Sequence, residues 1–320
     1  MDLLTVSRLK TFRACARKHE LRYVKKFVPT AQRESLSIGT LFHKGVEAWW
    51  NMDDLGFALG AVAAAAHQMA VDEEITVRVT EMLRGYVASW SPIRPQYAVL
   101  GVEQEFRTAL INPDTMAKSQ TWETAGKIDL VLKERATGHV ILVEHKTTAD
   151  DISDDAAHYF KKLVLDAQLS LYHVGGESLG YSFDKIIYDV AAKPSLKRKR
   201  ATPIEDRKYT AAGKLYANQR DSDETLTEFA ERIRADIAER PDRYYRRVET
   251  VRLEDEILES MRDVWHDARI IRESEIAGRA PRNPDACTMY GTCEYFDVCA
   301  NGVDRSEERR VGKECLRLCR

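Results

Sequence analysis

The sequence predicts an α/β fold in which helices flank a central β-sheet. The runs IDLVL at 128–132 and HVILVE at 139–144 have the β-branched, apolar composition of buried strands. Helical periodicity dominates the chain before and after them. Hydrophobic residues make up 44% of the 320 positions, which is enough for a substantial core. We therefore expect one domain over 1–304, with a helical part at 1–95, a sheet core at 96–192, and C-terminal helices with a cysteine cluster at 193–300.

The expected elements follow from periodicity and from residues that stop it. Ser7 has the position of a helix cap, and Pro92 and Pro95 end the N-terminal helical region. The predicted helices span 7–25, 38–51, 55–70, 72–91, 156–175, 222–240 and 253–278. The predicted strands span 97–110, 122–133, 139–147 and 184–191.

Residues 126–148 are predicted to form a β-hairpin that carries three charged side chains. Asp129 lies in the first strand, and Glu144 and Lys146 lie at the end of the second. A carboxylate in a buried strand needs something that compensates its charge. Carboxylate oxygens are ligands for Mg²⁺, and an ammonium beside them can stabilise charge on a phosphate. The pattern indicates metal-assisted phosphodiester cleavage, with a solvated hairpin and an ordinary ion pair as the alternative.

Asp129 followed by Glu144-x-Lys146 on the next strand resembles the PD-(D/E)XK nuclease superfamily, and specifically its RecB-like branch. Ile128 stands where the superfamily has a proline. The resemblance implies a restriction-endonuclease-like core with a mixed central sheet and a Mg²⁺ or Mn²⁺ cofactor. It also implies that the backbone carbonyl of His145 joins Asp129 and Glu144 as a metal ligand.

Two helical segments extend this resemblance. In IGTLFHKGVEAWW, His43 and Glu47 are four residues apart and share a helix face. The resemblance implies that His43 joins the metal ligands, with Glu47 as a weaker helper. In DAQLSLYHV, Gln168 and Tyr172 match a Q-x-x-x-Y motif whose side chains line the active site and contact DNA. A histidine packed in the core and an amphipathic helix packed on the sheet are the simpler alternatives.

The strand GVEQEF precedes the hairpin and carries Glu103 and Glu105. The two acids alternate with other residues, so both are expected on one side of the sheet. We expect this side of the sheet to be exposed. The alternative is that Glu105 contacts the predicted metal site.

Residues 305–320 differ from the rest of the chain. The string RSEERRVGKEC resembles an in-frame translation of a common sequencing adapter, so this tail is expected to be non-native. A genuine basic, disordered tail is the alternative. The tail includes Cys315 and Cys319, which are therefore left out of the predicted fold.

The other four cysteines are predicted to hold a metal centre. Cys287, Cys293 and Cys299 follow one another with five-residue gaps, and Cys15 lies near the N-terminus in SRLKTFRACARK. This distribution resembles the iron–sulfur RecB-like nucleases, including AddB-type and CRISPR-associated exonucleases, which implies a [4Fe–4S] cluster. The first gap is longer than in that pattern, and Ala16 stands where proline is common. A four-cysteine zinc site and buried structural thiols therefore stay open.

The strongest basic patch is the loop KPSLKRKR, extended by Arg207 and Lys208. The protein has a net charge of −2, so contact with DNA phosphates needs local positive charge. The loop is predicted to bind DNA, with a mobile surface loop as the alternative. The loop residues predicted to contact DNA are Lys197, Arg198, Lys199 and Arg200.

Together these motifs predict a metal-dependent DNA nuclease, with a phage-type exonuclease favoured. The alternative is an inactive nucleic-acid-binding module stabilised by a four-cysteine metal site. The sequence has no P-loop motif, so a helicase or recombination partner would be a separate chain. No segment has the length and apolarity of a membrane span, and a cytoplasmic location is expected. Polarity, strand preference and the pathway, whether phage recombination, repair or CRISPR adaptation, stay open.

Overall fold

The structure is a computed structural model that describes residues 1–29, 34–154, 158–163, 165–289, 291–302 and 309–310. Of the tail predicted to be non-native, two residues are described and form a short strand with residues 27–28. The remainder of that tail, with Cys315 and Cys319, lies outside the described residues.

Strands and helices are interspersed along the chain, and three consecutive strands form its middle part. The strands are β1 (Asp2–Leu4), β2 (Phe27–Val28), β3 (Tyr97–Ile111), β4 (Lys118–Glu134), β5 (Val140–Thr148), β6 (Lys185–Ala192), β7 (Tyr245–Thr250) and β8 (Arg309–Arg310). The helices are α1 (Val6–Ala14), α2 (Ala16–His19), α3 (Glu34–Met52), α4 (Leu55–Gln68), α5 (Glu73–Trp90), α6 (His158–Leu163), α7 (Ala167–Ser178), α8 (Leu226–Glu239), α9 (Pro241–Tyr244), α10 (Glu254–Ala277) and α11 (Phe296–Asn301).

Strand β4 is the centre of a mixed sheet, as predicted. One edge of β4 pairs antiparallel with β3. The other edge is shared by β1, which runs parallel, and by β5, which runs antiparallel. Beyond β5 follow β6, parallel to it, and then β7, antiparallel to β6. The protein therefore has a mixed α/β architecture with a restriction-endonuclease-like central sheet.

Two strands of this sheet, β1 and β7, were not among the predicted strands. Strand β1 has three residues, too few to show periodicity. Strand β7 contains Arg246 and Arg247 and forms an edge, where charged side chains are tolerated.

Helices cover both faces of the sheet. Helices α3, α4, α5 and α8 pack together over one face. Its centre is a group of edge-to-face aromatic rings, Trp49, Trp50, Tyr86 and Trp90. On the other face, α7 and α10 pack with α1 around Trp122, whose indole N–H donates to the carbonyl of Ala268 at 3.1 Å. Across the described ranges, no helix combines the length and apolarity needed to cross a membrane.

Two predicted helices are interrupted. One break lies at Cys15 and the other just before Gln168, and both are candidate site residues. The helix expected at 7–25 breaks at Cys15, whose backbone is extended (φ −162°, ψ 114°). The helix expected at 156–175 is divided into α6 and α7. The side chain of Asp166 caps α7 by accepting the N–H of Gln168 at 3.0 Å.

Candidate active site

Asp129 lies where strands β4 and β5 separate. The recorded pairing of these strands ends at Leu130 with Val143. Beyond that pair, the backbone N–H of His145 donates to Oδ2 of Asp129 at 2.9 Å. The side chain thus fills the opening between the strands, and its own exposed fraction is only 11%. Burial raises the pKa of Asp129, an effect opposed in part by the nearby His145.

Glu144, Lys146 and Gln168 form a compact network on the α7 side of the sheet. The ammonium of Lys146 donates to Oε1 of Glu144 at 2.5 Å and to Oε1 of Gln168 at 2.8 Å. The amide of Gln168 donates to Oε1 of Glu144 at 2.5 Å and to the hydroxyl of Tyr172 at 3.0 Å. The Q-x-x-x-Y spacing on α7 therefore brings both side chains to the hairpin acids.

Gly175 allows α7 to lie this close to the sheet. A Cβ at this position would stand 2.5 Å from Cε1 of Phe106 on β3, closer than carbon atoms approach. The ring of Phe106 in turn meets Tyr172 edge-to-face with centroids 5.9 Å apart. Close packing of helix on strand therefore fixes the height of Gln168 and Tyr172 above the sheet.

Glu144 is a deeply buried acid whose pKa is raised. Its residue exposure is 2%, and its Oε2 atom has no hydrogen-bond partner within the described part of the chain. Burial, followed by the negative charge of Asp129, raises the pKa of Glu144 to about 7. A buried carboxylate oxygen without a partner is costly, so this atom is suited to bind a cation.

A second group of ligands adjoins Asp129. His43 on α3, Glu103 on β3 and Asp129 each offer a ligand atom, and these three atoms lie within 4.8 Å of one another. Burial, with a further contribution from His145, lowers the pKa of His43 to about 4. Its imidazole is therefore neutral at pH 7, the state in which histidine binds metals. The pairs Val102 with Leu130 and Gln104 with Ile128 place Glu103 directly across from Asp129.

The expectation that Glu103 lies on an exposed face was wrong. Its side chain is 14% exposed, it pairs with Lys127, and its backbone is left-handed with φ of 51°. Such a backbone is uncommon outside glycine and is concentrated at functional sites. Glu105, by contrast, is exposed, as expected. The sequence indicated only that Glu103 is an acid in the strand before the hairpin. The register of β3 on β4 is what brings it next to Asp129.

The His145 imidazole adjoins His43, with ring centroids 6.3 Å apart, but its Nδ1 is directed to another partner. Its Nδ1 is 3.1 Å from Oδ2 of Asp189 on β6, and its ring meets Tyr86 edge-to-face. Burial by itself would lower the pKa of His145, but the hydrogen bond and charge of Asp189 outweigh it, and the pKa is raised. Any contribution of His145 to metal binding therefore rests with its backbone carbonyl. Glu47 also points elsewhere and pairs with Lys44 at 2.7 Å.

These residues fit a divalent cation. They supply neutral imidazole and carboxylate ligands from three strands and one helix, and Oε2 of Glu144 lacks another partner among the described residues. Hard oxygen ligands of this kind suit Mg²⁺ and Mn²⁺.

The four predicted cluster cysteines surround one cavity. Cys15, Cys287, Cys293 and Cys299 are free thiols and all line a cavity of about 240 Å³. The break at Cys15 is held by the C-terminal segment, because Asn283 donates to the carbonyl of Ala14 at 2.8 Å. The N-terminal and C-terminal cysteines, 272 or more positions apart in sequence, are thus brought together by tertiary packing.

The predicted basic patch is partly neutralised. Arg200 donates to Glu74 at 2.5 Å and to Asp223 at 3.1 Å, and Arg198 lies 3.4 Å from Glu74. Lys197 and Lys199 are exposed. The arginines therefore attach this loop to the N-terminus of α5, and they are less accessible to phosphates than the sequence suggested.

A buried acid pair, a neutral histidine and a lysine thus lie together at the opening between two strands of a mixed sheet. The model of the PD-(D/E)XK nuclease superfamily matches residues 3–300. The chain therefore belongs to the PD-(D/E)XK nuclease superfamily. Among solved structures it is similar to the crystal structure of SSO0001, with 12% identity and a TM-score of 0.36, over 94% of this chain and 87% of that one. No curated protein matches the sequence.

Proposed function

We propose that this chain is a Mg²⁺- or Mn²⁺-dependent deoxyribonuclease of the RecB-like branch, acting as an exonuclease. The observation that carries this proposal is Glu144. Its buried Oε2 atom has no partner within the described residues, and its pKa is raised by burial and by a second buried acid, Asp129. This arrangement is unfavourable by itself and is relieved when a cation binds.

Asp129 and Glu144 would hold the metal, together with His43, Glu103 and the backbone carbonyl of His145. A bound divalent cation supplies Lewis-acid chemistry, lowering the pKa of a bound water and neutralising charge on the phosphate. Gln168 orients both Glu144 and Lys146 through its amide, since it donates to one and accepts from the other. Tyr172 supports Gln168 and faces the same space.

Lys146 acts in this proposal as a cation and not as a general base. Burial by itself would lower its pKa, but the charges of Glu144 and Asp129 outweigh this and raise it. The ammonium therefore stays protonated at neutral pH. Its Nζ, on a side chain that is 24% exposed, can donate to the attacking water or to a non-bridging phosphate oxygen.

The cysteine cavity is proposed to hold a [4Fe–4S] cluster. A zinc ion with four Zn–S bonds needs its sulfurs about 4 Å apart. Among the described residues, however, His43, Glu103 and Asp129 form the only group of three or more ligands within 4.8 Å of one another. A cavity of about 240 Å³ lined by four free thiols is better matched to a cluster, and free thiols agree with a cytoplasmic location. In this role the cluster joins the two ends of one domain spanning 1–304.

The test is cleavage of end-labelled single-stranded and duplex DNA by protein purified without oxygen, in Mg²⁺, Mn²⁺ or EDTA. The comparison variants are Asp129→Asn, which removes a ligand charge with little change of shape, and Glu105→Gln, which changes an exposed acid on the neighbouring strand. We expect metal-dependent cleavage by the wild type and by Glu105→Gln, and none by Asp129→Asn. A ladder that shortens from one end would identify an exonuclease.

Cleavage that survives in Asp129→Asn or in EDTA would contradict the proposal. If the folded wild type binds DNA but cleaves it under none of these conditions, the inactive binding module is the better description.

A further inference from the structure

The segment between β6 and α8 folds back on itself into a long arm, which we define as residues 193–225. Its two limbs are joined by backbone hydrogen bonds from Thr202 to Arg220 at 2.8 Å, from Tyr216 to Lys208 at 3.1 Å and from Thr210 to Lys214 at 2.8 Å. A turn with Gly213 in a left-handed conformation (φ 74°) closes the end. The limbs therefore run antiparallel from a base to a tip, which we define as residues 207–216.

The base of the arm is fixed to the body of the protein. Arg198 and Arg200 bind Glu74 at the start of α5. Glu224 accepts two hydrogen bonds from Arg232 on α8, at 2.8 and 2.7 Å, and also accepts the backbone N–H of Lys199 at 2.8 Å. The charges of Arg198, Arg200 and Glu224 are used in these contacts, so the base serves as an anchor.

The tip has a different composition. Its sequence, RKYTAAGKLY, has three basic residues and no acid, in a protein whose net charge is −2. Tyr209 is 55% exposed and Tyr216 is 46% exposed. The side chain of Arg207 donates to backbone carbonyls of the arm, whereas Lys208 and Lys214 are exposed. Two exposed rings, each close in sequence to an exposed lysine, offer stacking surfaces and phosphate contacts in one short segment.

The arm begins where β6 ends, beside the end of β5 in the sheet that carries the candidate active site. Strand β6 is parallel to β5, and the last recorded pair between them is Thr148 with Ala192. The next residue, Lys193, donates its N–H to the carbonyl of Thr148 at 2.8 Å, two positions beyond Lys146. The base of the arm therefore lies beside the end of β5, the strand that carries Glu144 and Lys146.

We propose that the arm tip binds single-stranded DNA, with unpaired bases stacked on Tyr209 and Tyr216 and phosphates contacted by Lys208 and Lys214. This inference rests on the proposed nuclease function and names the form of its substrate. Stacking on an aromatic side chain requires an exposed base face, which a single strand offers and an intact duplex does not. The lysines provide the electrostatic part of the binding, which is independent of base sequence.

The test measures binding of the full-length protein to a fluorescent single-stranded oligonucleotide by anisotropy, in EDTA so that no DNA is cleaved. A Tyr209→Ala/Tyr216→Ala variant should bind about tenfold or more weakly, given the usual effect of removing stacking residues. The matched Tyr209→Phe/Tyr216→Phe variant keeps both rings and should bind as the wild type does. Phe57→Ala removes a ring on α4 that is 54% exposed, and it should also have no effect.

The lysines are tested by salt dependence. For single strands, each phosphate contact contributes about 0.7 to the slope of log K against log salt concentration. Lys208→Ala/Lys214→Ala should therefore reduce this slope by about 1.4. Thermal unfolding of each variant checks that the fold is retained, which we expect because the changed side chains are exposed.

The possible outcomes separate this inference from the nuclease proposal. Unchanged single-strand binding in the double alanine variant would overturn the inference, even if the protein cleaves DNA. An equal loss with duplex DNA, or an equal loss in the phenylalanine variant, would overturn stacking on the rings. A selective loss of single-strand binding would support the arm even if no cleavage were found.

Discussion

Replacing Glu144 with glutamine should stabilise the metal-free protein at high pH and at the same time greatly reduce its stabilisation by metal. Glu144 has a side-chain exposure of 3%, and its pKa is raised from 4.5 to about 7 by burial and by Asp129. Because the folded pKa lies above the unfolded one, the contribution of this group is fully favourable below about pH 4.5 and is lost as the pH rises through about 7. Glutamine does not titrate and keeps a similar shape.

The size of the effect follows from the pKa shift. Each pKa unit corresponds to about 1.4 kcal/mol, so a shift from 4.5 to about 7 corresponds to about 3 kcal/mol. The stability of Glu144→Gln relative to the wild type should therefore increase by about 3 kcal/mol between acidic and alkaline pH, mostly between pH 5 and pH 8. Urea unfolding in EDTA at these two pH values measures this difference.

The metal response provides the second half of this prediction. Adding Mn²⁺ at pH 8 should raise the unfolding midpoint of the wild type, because a ligand that binds only the folded state stabilises it. Glu144→Gln should gain much less, and the exposed control Glu105→Gln should behave as the wild type in both experiments. A stability difference between Glu144→Gln and the wild type that is the same at pH 5 and pH 8 would refute the assigned electrostatics.

Three further changes test other parts of the site. Lys146→Ala should reduce cleavage about a hundredfold or more, because it removes a charge that stabilises the phosphate; cleavage within a few-fold of wild type would contradict its role. Glu103→Gln should weaken Mn²⁺ binding about tenfold or more, measured by calorimetry, and an unchanged affinity would remove Glu103 from the ligands. Cys15→Ser should lose the visible absorption of a cluster and lower the unfolding midpoint together, whereas Lys146→Ala should preserve the absorption. Visible absorption that persists in Cys15→Ser would exclude Cys15 as a ligand.

Much of the candidate site could be predicted from local sequence. Asp129, Glu144 and Lys146 are conspicuous because they are charged residues in otherwise apolar strands, and burial makes such residues costly. His43, Gln168 and Tyr172 were indicated by motifs that resemble those of a nuclease family. The four-residue spacing of Gln168 and Tyr172 also places them on one helix face. These side chains do come together in the structure. The helices and strands that carry them form where local sequence predicted them.

Other features could not be predicted, since they depend on contacts between distant segments. Glu103 joins the site only through the register of β3 on β4 and a left-handed backbone. The arginines of the predicted basic patch bind Glu74, more than 120 positions earlier in the chain, which no local pattern indicates.

The sequence by itself therefore determined the α/β class, the positions of the main strands along the chain, and the residue types that suit metal-dependent cleavage. Hydrophobic periodicity and charge in a buried strand are local properties, and local sequence contains them in full. Only the tertiary structure decided which acid stands opposite Asp129, which basic residues remain accessible, and how Cys15 reaches the C-terminal cysteines. These three features depend on strand register and on packing between distant segments. Many such contacts have similar local energies, and the packing of the whole core selects among them.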